Sequence, residues 1–340
     1  MEIKTNIPLK DYTTMRIGGN ARFMAEILTP TDVATICKNA KSQNLPIFVI
    51  GGGSNLIAHD EGFNGIIIHI GIPGFEIIYD DDNSTIVKIG AGENWDSVVK
   101  QTVDMSLTGI EAMSGIPGTT GAAPIQNIGA YGQEIANTLQ SLEAYDTQTD
   151  QFITLQNTDC KFAYRHSIFR GESIGRYIVT YINLKLSKSR PTAPFYDSLQ
   201  KYLDTNSITS YDPQIIRNAV LKIRESKLPD PNILANSGSF FKNAIVSQKQ
   251  LDELRAIDPD APSFAMPDGN YKIPTGWLIE NAGLKGKIFH GMRIYDKNAL
   301  VLVNESANSY GDLAAARDEI TKKIYDEFDI QIEQEPLEIV

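Results

Sequence analysis

The apolar and polar residues of the amino-terminal half follow patterns of short strands with few helices. ARFMAEIL (21–28) and the β-branched IFVI (47–50) predict strands, and the residues between them predict a helix capped by Thr31. Further strands are predicted in GIIIHI, FEIIYD, TIVKIG, SLEAYD, FITL and YIVTYINLKL. The segment ENWDSVVKQTVDMS predicts a second helix with one buried face, formed by Trp95, Val98, Val99 and Thr102. This half is therefore expected to be mixed α and β rather than a series of regular βαβ repeats.

The carboxy-terminal half follows a stretch, residues 187–213, that is rich in Pro, Ser and charged residues. PQIIRNAVLKIRESK then repeats apolar residues at helical spacing, and a late helix is predicted over Asp312–Phe328. The chain closes with DIQIEQEPLEIV, whose alternation predicts a short strand. A domain boundary is therefore expected within 187–213.

Composition and charge narrow the class of protein. At roughly 150 residues per domain, 340 residues predict two to three domains, and 42% hydrophobic against 21% charged residues excludes a chain that is disordered throughout. No apolar stretch approaches the about 18 to 20 residues that cross a bilayer, and the amino terminus lacks a secretory signal. We therefore expect a cytoplasmic protein. Cys37 and Cys160 have no metal-binding or disulfide spacing and are expected to be buried, inert thiols.

The balance of 31 basic and 42 acidic residues gives a net charge of -11. This charge works against non-specific binding to nucleic acid, so no nucleic-acid partner is expected. A local basic patch could still bind an anionic small molecule.

Two glycine-rich loops carry the candidate chemistry. GGGSN (51–55) could surround a phosphate with its N–H groups, although a simple tight turn explains about half of such loops. It has neither the GK[ST] ending of a Walker loop nor the βαβ context of a Rossmann motif. The second loop is SGIPGTTGAAPIQNIGAYGQEI (114–135). Its small residues bury little apolar area, so ordering its backbone costs conformational entropy that a bound ligand could offset. The alternative is a long surface loop without a ligand. Two such loops, each expected to follow a strand, suit a dinucleotide whose diphosphate lies between two lobes.

Six segments together resemble one known family. In chain order they are GGGSNLI, GIPGTTGAAPIQNIGAYG, YRHSIFR, KLPDP, SGSFFKN and TGWLIENAGLKG. Over about residues 13 to 335 they resemble the UDP-N-acetylenolpyruvoylglucosamine reductase (MurB) family. The resemblance implies an α+β protein in which a two-lobed FAD-binding fold of the vanillyl-alcohol-oxidase (PCMH) type precedes a smaller α+β substrate domain. It places FAD-binding lobe 1 at residues 1–65, lobe 2 at 66–210, and a substrate-binding domain with a catalytic tail at 211–340.

The resemblance also implies a reaction and a cofactor. The reaction is NADPH-dependent, FAD-mediated reduction of UDP-N-acetylglucosamine enolpyruvate to UDP-N-acetylmuramate in peptidoglycan synthesis, with no metal required. Neither loop holds a His or Cys for covalent attachment, so FAD is expected to be non-covalent, although His59 and His69 keep that question open. The implied FAD contacts are Gly51, Gly52, Gly53, Ser54, Asn55, Gly118, Thr119, Thr120, Ala122, Asn127, Gly129 and Tyr131.

Three residues match the family's catalytic positions. Arg165 in YRHSIFR would face the charge that develops on the substrate, because its planar fork suits a carboxylate. Ser239 in SGSFFKN matches the proton donor, and Glu335 in IEQEP matches the glutamate that stabilises or protonates the intermediate, with Glu333 and Glu338 as competitors. Arg165 could instead form a surface ion pair, and Ser239 could be a turn or cap residue.

Three further residues resemble substrate-binding positions. Lys227 in KLPDP and Asn243 in SFFKN would contact the uridine diphosphate, and Tyr196 would lie on the mobile tyrosine loop of the longer family subtype. Lys227 could equally be a solvated surface lysine, and Tyr196 a core aromatic.

Two other functions remain open from the sequence. One is another FAD-dependent oxidoreductase of the same superfamily, which would pass electrons to oxygen, and the other is a non-catalytic nucleotide-sugar binding protein. The joint presence of Arg165, Ser239 and Glu335 favours the reductase. The oligomeric state stays open, with a monomer as one expectation.

Overall fold

The structure is a computed structural model that describes all 340 residues. The strands are β1 (Ile3–Pro8), β2 (Asn20–Ile27), β3 (Ile47–Ile50), β4 (Leu56–Ala58), β5 (Phe63–Ile70), β6 (Phe75–Asp80), β7 (Ser84–Gly90), β8 (Gly129–Ala130), β9 (Gln133–Glu134), β10 (Leu139–Asp146), β11 (Gln151–Gln156), β12 (Tyr177–Ser187), β13 (Asn236–Ser239), β14 (Ala244–Val246), β15 (Phe264–Ala265), β16 (Tyr271–Ile273), β17 (Ile288–Phe289), β18 (Met292–Ile294), β19 (Val301–Asn304) and β20 (Leu337–Ile339).

The helices are fewer than the strands. The α-helices are α1 (Pro30–Ser42), α2 (Trp95–Asp104), α3 (Asp197–Thr205), α4 (Pro213–Lys227), α5 (Gln248–Ile257), α6 (Thr275–Asn281) and α7 (Tyr310–Phe328). Single 3-10 turns occur at Leu9–Asp11, Glu111–Met113, Thr120–Ala122, Ile135–Asn137, Asn157–Cys160 and Ile168–Arg170. None of the helices is long and apolar enough to cross a membrane.

The chain divides into two compact units, each built from several separate segments. The first unit is formed by residues 1–7, 21–52 and 64–225, and the second unit by residues 8–20, 53–63 and 226–340. The boundaries of these units differ from those of the three predicted segments. Residues 8–20 and 53–63 belong to the second unit although they fall in predicted lobe 1, and α4 up to residue 225 belongs to the first unit although residues 211–340 were assigned to the substrate domain. The assignment of cofactor lobes and a substrate domain to particular segments stays a prediction.

Two sheets form most of the first unit. One has the strand order β1, β2, β5, β3, with β3 and β5 parallel, and the other is an antiparallel sheet in the order β11, β10, β12, β7, β6. All strands predicted for this half are confirmed. The two predicted helices are also confirmed, because their apolar faces enter one common core. The cap of α1 is Thr29, whose Oγ1 accepts a hydrogen bond from Asp32 N at 3.2 Å; the prediction of Thr31 was wrong.

A smaller apolar cluster in the first unit joins α3 and α4. Leu199 and Leu203 of α3 pack with Ile216 and Val220 of α4, and Ala112, just before the second glycine-rich loop, belongs to the same cluster. Burying aliphatic side chains of this size stabilises by about 1.5 to 3 kcal/mol each. The core alone therefore brings α4 close to the start of that loop.

The second unit has its own sheets and core. Strands β13, β19, β18 and β17 form one sheet in that order, β14, β16 and β15 form another, and β20 pairs in parallel with β4. The apolar face of α7 is buried as predicted, but the helix begins at Tyr310 rather than Asp312, because Ser309 is its cap. The alternating carboxy-terminal segment forms a strand only at β20. Ile330 and Ile332 are buried without a continuous ladder.

Both cysteines are buried and free, as predicted. Burial raises the pKa of the Cys37 thiol to about 12 and that of Cys160 also to about 12, and nearby carboxylates add to both shifts. Neither thiol is therefore ionised near neutral pH, and both are inert nucleophiles.

Candidate active site

The two glycine-rich loops approach each other within the first unit. A Cβ atom on Gly52 would lie 2.9 Å from Gly118 Cα, and a Cβ atom on Gly51 would lie 2.1 Å from Thr119 Oγ1. A side chain would not fit at either position without a shift, so glycine permits this backbone contact. The main chains of the two predicted phosphate loops therefore lie side by side, as two nests around one diphosphate require.

The second loop is irregular but firmly held. Gly118 O accepts from Trp95 N at 3.1 Å, Thr120 N donates to Glu93 O at 2.9 Å, and Gly121 N donates to Ala91 O at 2.9 Å. The Thr120 hydroxyl is fully buried and donates to Glu93 O, so its predicted FAD contact would have to come from the backbone. Ala122, in contrast, is exposed. The loop follows α2 and a 3-10 turn, so the expectation that each loop follows a strand was wrong for this one.

Asn127 connects this loop to the turn that carries Arg165. Its Nδ2 donates to Glu134 Oε2 at 2.7 Å and to Ala163 O at 3.1 Å, and its Oδ1 accepts from Ala136 N at 3.1 Å. The side chain is almost fully buried. Because all its polar atoms bind protein groups, Asn127 supports the loop, and a contact with FAD would again have to come from its backbone.

Arg165 lies in a tight turn with unusual backbone geometry. Ala163 and His166 exchange two backbone hydrogen bonds of 3.1 Å, and Arg165 between them has a φ of +52°. Left-handed φ values are uncommon for non-glycine residues and concentrate at functional sites. The Arg165 Nη2 donates to Gly129 O at 3.1 Å, which ties the guanidinium to the second loop. The nearby Glu172 forms an ion pair with Lys161 at 2.6 Å.

Tyr131 forms the tip of a hairpin next to Tyr196. Tyr131 and Gly132 have φ values of +48° and +85° between β8 and β9, which is the pattern of a type I′ turn. The two tyrosine rings meet edge to face with centroids 6.3 Å apart. Burial raises the pKa of Tyr131, Arg224 opposes that shift, and Tyr196 adds to it. Tyr196 is 56% exposed, so the alternative of a core aromatic is wrong.

The first loop continues into the second unit at Gly53. Gly53 has a φ of +64°, and a Cβ atom there would lie 1.8 Å from Tyr12 O. Gly53 O accepts from Thr14 N at 3.2 Å, and Asn55 O accepts from Leu337 N at 3.0 Å. The loop is therefore held between the segment before β2 and the carboxy-terminal strand.

Three buried hydroxyl groups in the second unit have no hydrogen-bond partner. They are Thr13 Oγ1, Thr14 Oγ1 and Ser237 Oγ. Thr14 bonds Gly53 through its N–H and Asn236 N through its carbonyl, so the group lies beside the first loop. An unsatisfied buried hydroxyl costs about 1 to 3 kcal/mol, which a ligand with phosphate or ribose oxygens would offset. These residues fit FAD.

Ser239 and Glu335 belong to neighbouring segments of the second unit. Ser239 is the last residue of β13 and pairs with Val301, so the alternative of a turn or cap residue is wrong. The next residue, Phe240, accepts a hydrogen bond from Glu335 N at 2.8 Å. Among the three competing glutamates, Glu335 is 7% exposed, whereas Glu333 is on the surface and Glu338 pairs with His59. Burial therefore favours Glu335 as the reactive carboxylate.

Asn243 and Lys227 differ in how they are held. Asn243 Oδ1 accepts from Thr275 N at 3.2 Å, and the buried Thr275 hydroxyl bonds the backbone on both sides of Asn243, at Lys242 O and Ala244 N. Lys227 is exposed at the end of α4, so its alternative as a solvated lysine stays open.

Comparison with known proteins decides the family. Residues 22–155 match the FAD binding domain, and residues 230–339 match the C-terminal domain of UDP-N-acetylenolpyruvoylglucosamine reductase. The reductase of that name from Bdellovibrio bacteriovorus is 38% identical over 99% of each chain, and the one from Ralstonia nicotianae is 38% identical over 98% of each chain. The chain belongs to the UDP-N-acetylenolpyruvoylglucosamine reductase family. As a family member it is an FAD-dependent oxidoreductase.

Solved structures confirm the expected fold. The reductase (MurB) from Thermus caldophilus has a TM-score of 0.67 at 22% identity, covering 99% of this chain and 98% of its own. The 6-hydroxy-D-nicotine oxidase from Arthrobacter nicotinovorans has a TM-score of 0.54 at 14% identity, covering 97% and 86%. At these identities the likeness concerns fold alone. The α+β architecture with a vanillyl-alcohol-oxidase type FAD-binding fold is confirmed.

Sequence reasoning missed several residues that shape the site. Three of them surround Gly115, at the start of the second loop. Asp96 and Arg224 form hydrogen bonds with Gly115, and Arg217 forms an ion pair with Asp96. Asp96 and Arg217 are 121 positions apart, and neither stands in a recognisable motif. Only the packing of α4 brings them together.

Proposed function

We propose that this chain reduces UDP-N-acetylglucosamine enolpyruvate to UDP-N-acetylmuramate with NADPH as the hydride donor. The 38% identity to a reductase of this family over 99% of the chain supports the proposal, and the observation that carries it is the close approach of Gly51 and Gly52 in the first loop to Thr119 and Gly118 in the second. When bound, FAD would supply hydride transfer from NADPH to the terminal carbon of the enolpyruvyl double bond. A cytoplasmic location fits this water-soluble, anionic substrate.

The catalytic roles follow from where charge and protons are needed. Hydride addition to one carbon of the double bond leaves negative charge on the neighbouring carbon and its carboxylate. Arg165 would stabilise that charge, because its guanidinium is a rigid, permanently charged donor. Ser239 Oγ would donate the proton that completes the new C–H bond, and the buried Glu335 would stabilise or help to protonate the same carbon.

Substrate and FAD contacts form the remainder of the proposal. Tyr196, Lys227 and Asn243 would bind the nucleotide sugar, with the Lys227 ammonium offering a positive charge to the diphosphate. The FAD contacts would be made by the backbone N–H groups of the two glycine-rich loops and by the buried hydroxyls beside Gly53.

An anaerobic absorption experiment tests the proposal. The purified protein should show a flavin spectrum that NADPH bleaches and that UDP-N-acetylglucosamine enolpyruvate restores, with UDP-N-acetylmuramate as the product. If the colour returned only when oxygen was admitted, an oxidase function would replace the reductase. If no FAD bound even after reconstitution, the non-catalytic binding protein would be favoured.

A further inference from the structure

Two arginines of α4 hold the residue at which the second glycine-rich loop begins. Asp96 Oδ1 accepts from Gly115 N at 2.6 Å, and the Asp96 carboxylate receives both arms of the Arg217 guanidinium, at 2.6 and 2.8 Å. Arg224, two turns further along α4, donates from Nη2 to Gly115 O at 2.9 Å. Both backbone polar groups of Gly115 are therefore bonded to this Asp96–Arg217–Arg224 cluster.

The geometry of Gly115 leaves it little room to move. Its φ is +71°, and a Cβ atom there would lie 3.0 Å from Leu221 Cδ2 and 3.1 Å from Arg224 Nε. The loop backbone thus lies directly against α4 at a conformation that favours glycine. Gly118 is only three residues further along. A shift at Gly115 would therefore displace the backbone that approaches Gly52.

The Asp96–Arg217 pair is a strong interaction. The Arg217 side chain is 8% exposed, and the two hydrogen bonds are those of a bidentate pair. Burial alone would raise the pKa of Asp96, but the hydrogen bonds from Arg217 and Gly115 outweigh it and lower that pKa. Removing Asp96 would leave the almost fully buried Arg217 guanidinium without its ion-pair partner.

Apolar packing, rather than the Asp96–Arg217 ion pair, attaches α4 to the rest of the first unit. Apolar contacts of Ile216, Ala219 and Val220 already pack α4 in the cluster that includes Ala112. What the pair adds is a fixed acceptor for Gly115 N, on the first turn of α2. This is the same helix whose Trp95 N donates to Gly118 O. The ion pair and the helix start therefore determine together where Gly115 and Gly118 lie.

We propose that Arg217 is a positioning residue for FAD binding, acting through Asp96 on Gly115 and hence on the backbone of Gly118–Ala122. The inference rests on the proposed function, since it assumes that this loop contacts FAD. Arg217 itself does not need to touch the cofactor. Its loss should weaken FAD binding, whereas the loss of a comparable ion pair away from the loops should not.

The test measures FAD release from the holoenzyme. After dilution, flavin fluorescence reports the Kd of FAD for the wild type and for Arg217→Met, Arg217→Lys and Asp96→Asn. We expect Arg217→Met to raise the Kd by at least tenfold. Arg217→Lys should restore part of the affinity, because a single charged donor remains. Asp96→Asn should raise the Kd as well. If Arg217→Met does not fold, the Kd values of Asp96→Asn and Arg217→Lys test the proposal instead.

A second ion pair of the same unit provides a matched control. Arg176 donates to both oxygens of the buried Asp146, at 3.0 and 2.7 Å, without contacting either glycine-rich loop. Arg176→Met should lower the Tm but leave the Kd of FAD within about twofold. An unchanged Kd in folded Arg217 variants, or an equal rise in Arg176→Met, would overturn the inference while leaving the proposed function intact. A wild-type protein that binds no FAD would overturn both.

Discussion

The two units hold their candidate site residues in different ways. In the first unit, Asn127, Tyr131 and Arg165 all have left-handed φ values, of 49°, 48° and 52°, and lie in irregular loops. In the second unit, Ser239 and Glu335 lie on adjacent extended segments joined by backbone hydrogen bonds. The first arrangement depends on particular side chains, and the second depends mainly on the main chain.

This difference predicts how each unit responds to substitution. A backbone ladder survives most changes of side chain, since every residue except proline offers the same donor and acceptor. A left-handed loop that is held by side-chain hydrogen bonds loses its geometry when one of those side chains is removed. Single substitutions away from the reacting groups should therefore disturb the first unit more than the second.

The largest effect is expected from Arg165. If Arg165 has the proposed role toward the developing charge, Arg165→Ala should lower kcat by about 100- to 1,000-fold, the range seen when one such donor is lost. Arg165→Lys should recover only part of the activity, because it keeps the charge without the planar fork. The measurement is steady-state kcat at saturating substrate, with the flavin spectrum as a control for FAD content. A decrease below tenfold would argue against the catalytic assignment.

Asn127→Ala tests how strongly the candidate site of the first unit depends on the hydrogen bonds of one supporting side chain. It leaves Ala136 N without its partner, and it removes one of the two hydrogen bonds to Ala163 O, in the turn that carries Arg165. We expect a loss of about 2 to 3 kcal/mol in the free energy of unfolding, together with a decrease in kcat. Denaturant titration and kcat measure the two effects. Asn127→Asp keeps the acceptor for Ala136 N but places a second carboxylate against Glu134 in a buried site, so it should be at least as harmful as Asn127→Ala, and a clearly milder effect would contradict this account.

Thr275→Val is the corresponding test in the second unit. The buried Thr275 hydroxyl bonds Lys242 O and Ala244 N, on either side of Asn243, so its loss should cost about 1 to 3 kcal/mol of stability. Because the strands remain, kcat should stay within a few-fold while KM for the nucleotide sugar rises. Thr275→Ser keeps the hydroxyl and serves as the control. A loss of kcat as large as that of Asn127→Ala would contradict the comparison between the units.

The smallest effect concerns pH and the control ion pair of the first unit. A hydrogen bond from Arg176 is the largest cause that lowers the pKa of Asp146, to about 2 from an ordinary value of 3.8. A carboxylate with a lowered pKa stabilises the fold above its unfolded pKa and loses that contribution as the pH falls. The Tm should therefore drop between pH 4 and pH 2 more steeply in the wild type than in Asp146→Asn. Parallel curves of Tm against pH for the two proteins would show that the Arg176–Asp146 pair does not contribute to stability.

Periodic patterns predicted most of the elements but not their ends. The buried face of α2 and the strands around it repeat locally, so the sequence was sufficient there. The cap of α1 at Thr29 and the start of α7 at Tyr310 depend on single side-chain bonds, which apolar spacing does not report. Apolar alternation also predicted a longer carboxy-terminal strand than β20. Ile330 and Ile332 alternate because both are buried, but they do not belong to a strand.

The candidate site was predictable where residues lie in recognisable segments. Glycine content identified the two loops, and the resemblance then singled out Arg165, Ser239 and Glu335. The structure adds that the side chains of Asn127 and Thr120 bond protein groups. The cluster around Gly115 was not predictable, because its members come together only through the tertiary fold.

The most direct test compares the two half-reactions in wild-type protein and Ser239→Ala, by anaerobic stopped-flow absorption. Ser239 lies at a strand end outside the FAD loops, so bleaching of the flavin by NADPH should proceed within about twofold of the wild-type rate. Return of the colour on mixing with UDP-N-acetylglucosamine enolpyruvate should be at least about 100-fold slower, because the proposed proton donor is missing. Equal slowing of both half-reactions would contradict the proposed division between cofactor loops and proton-donating residues.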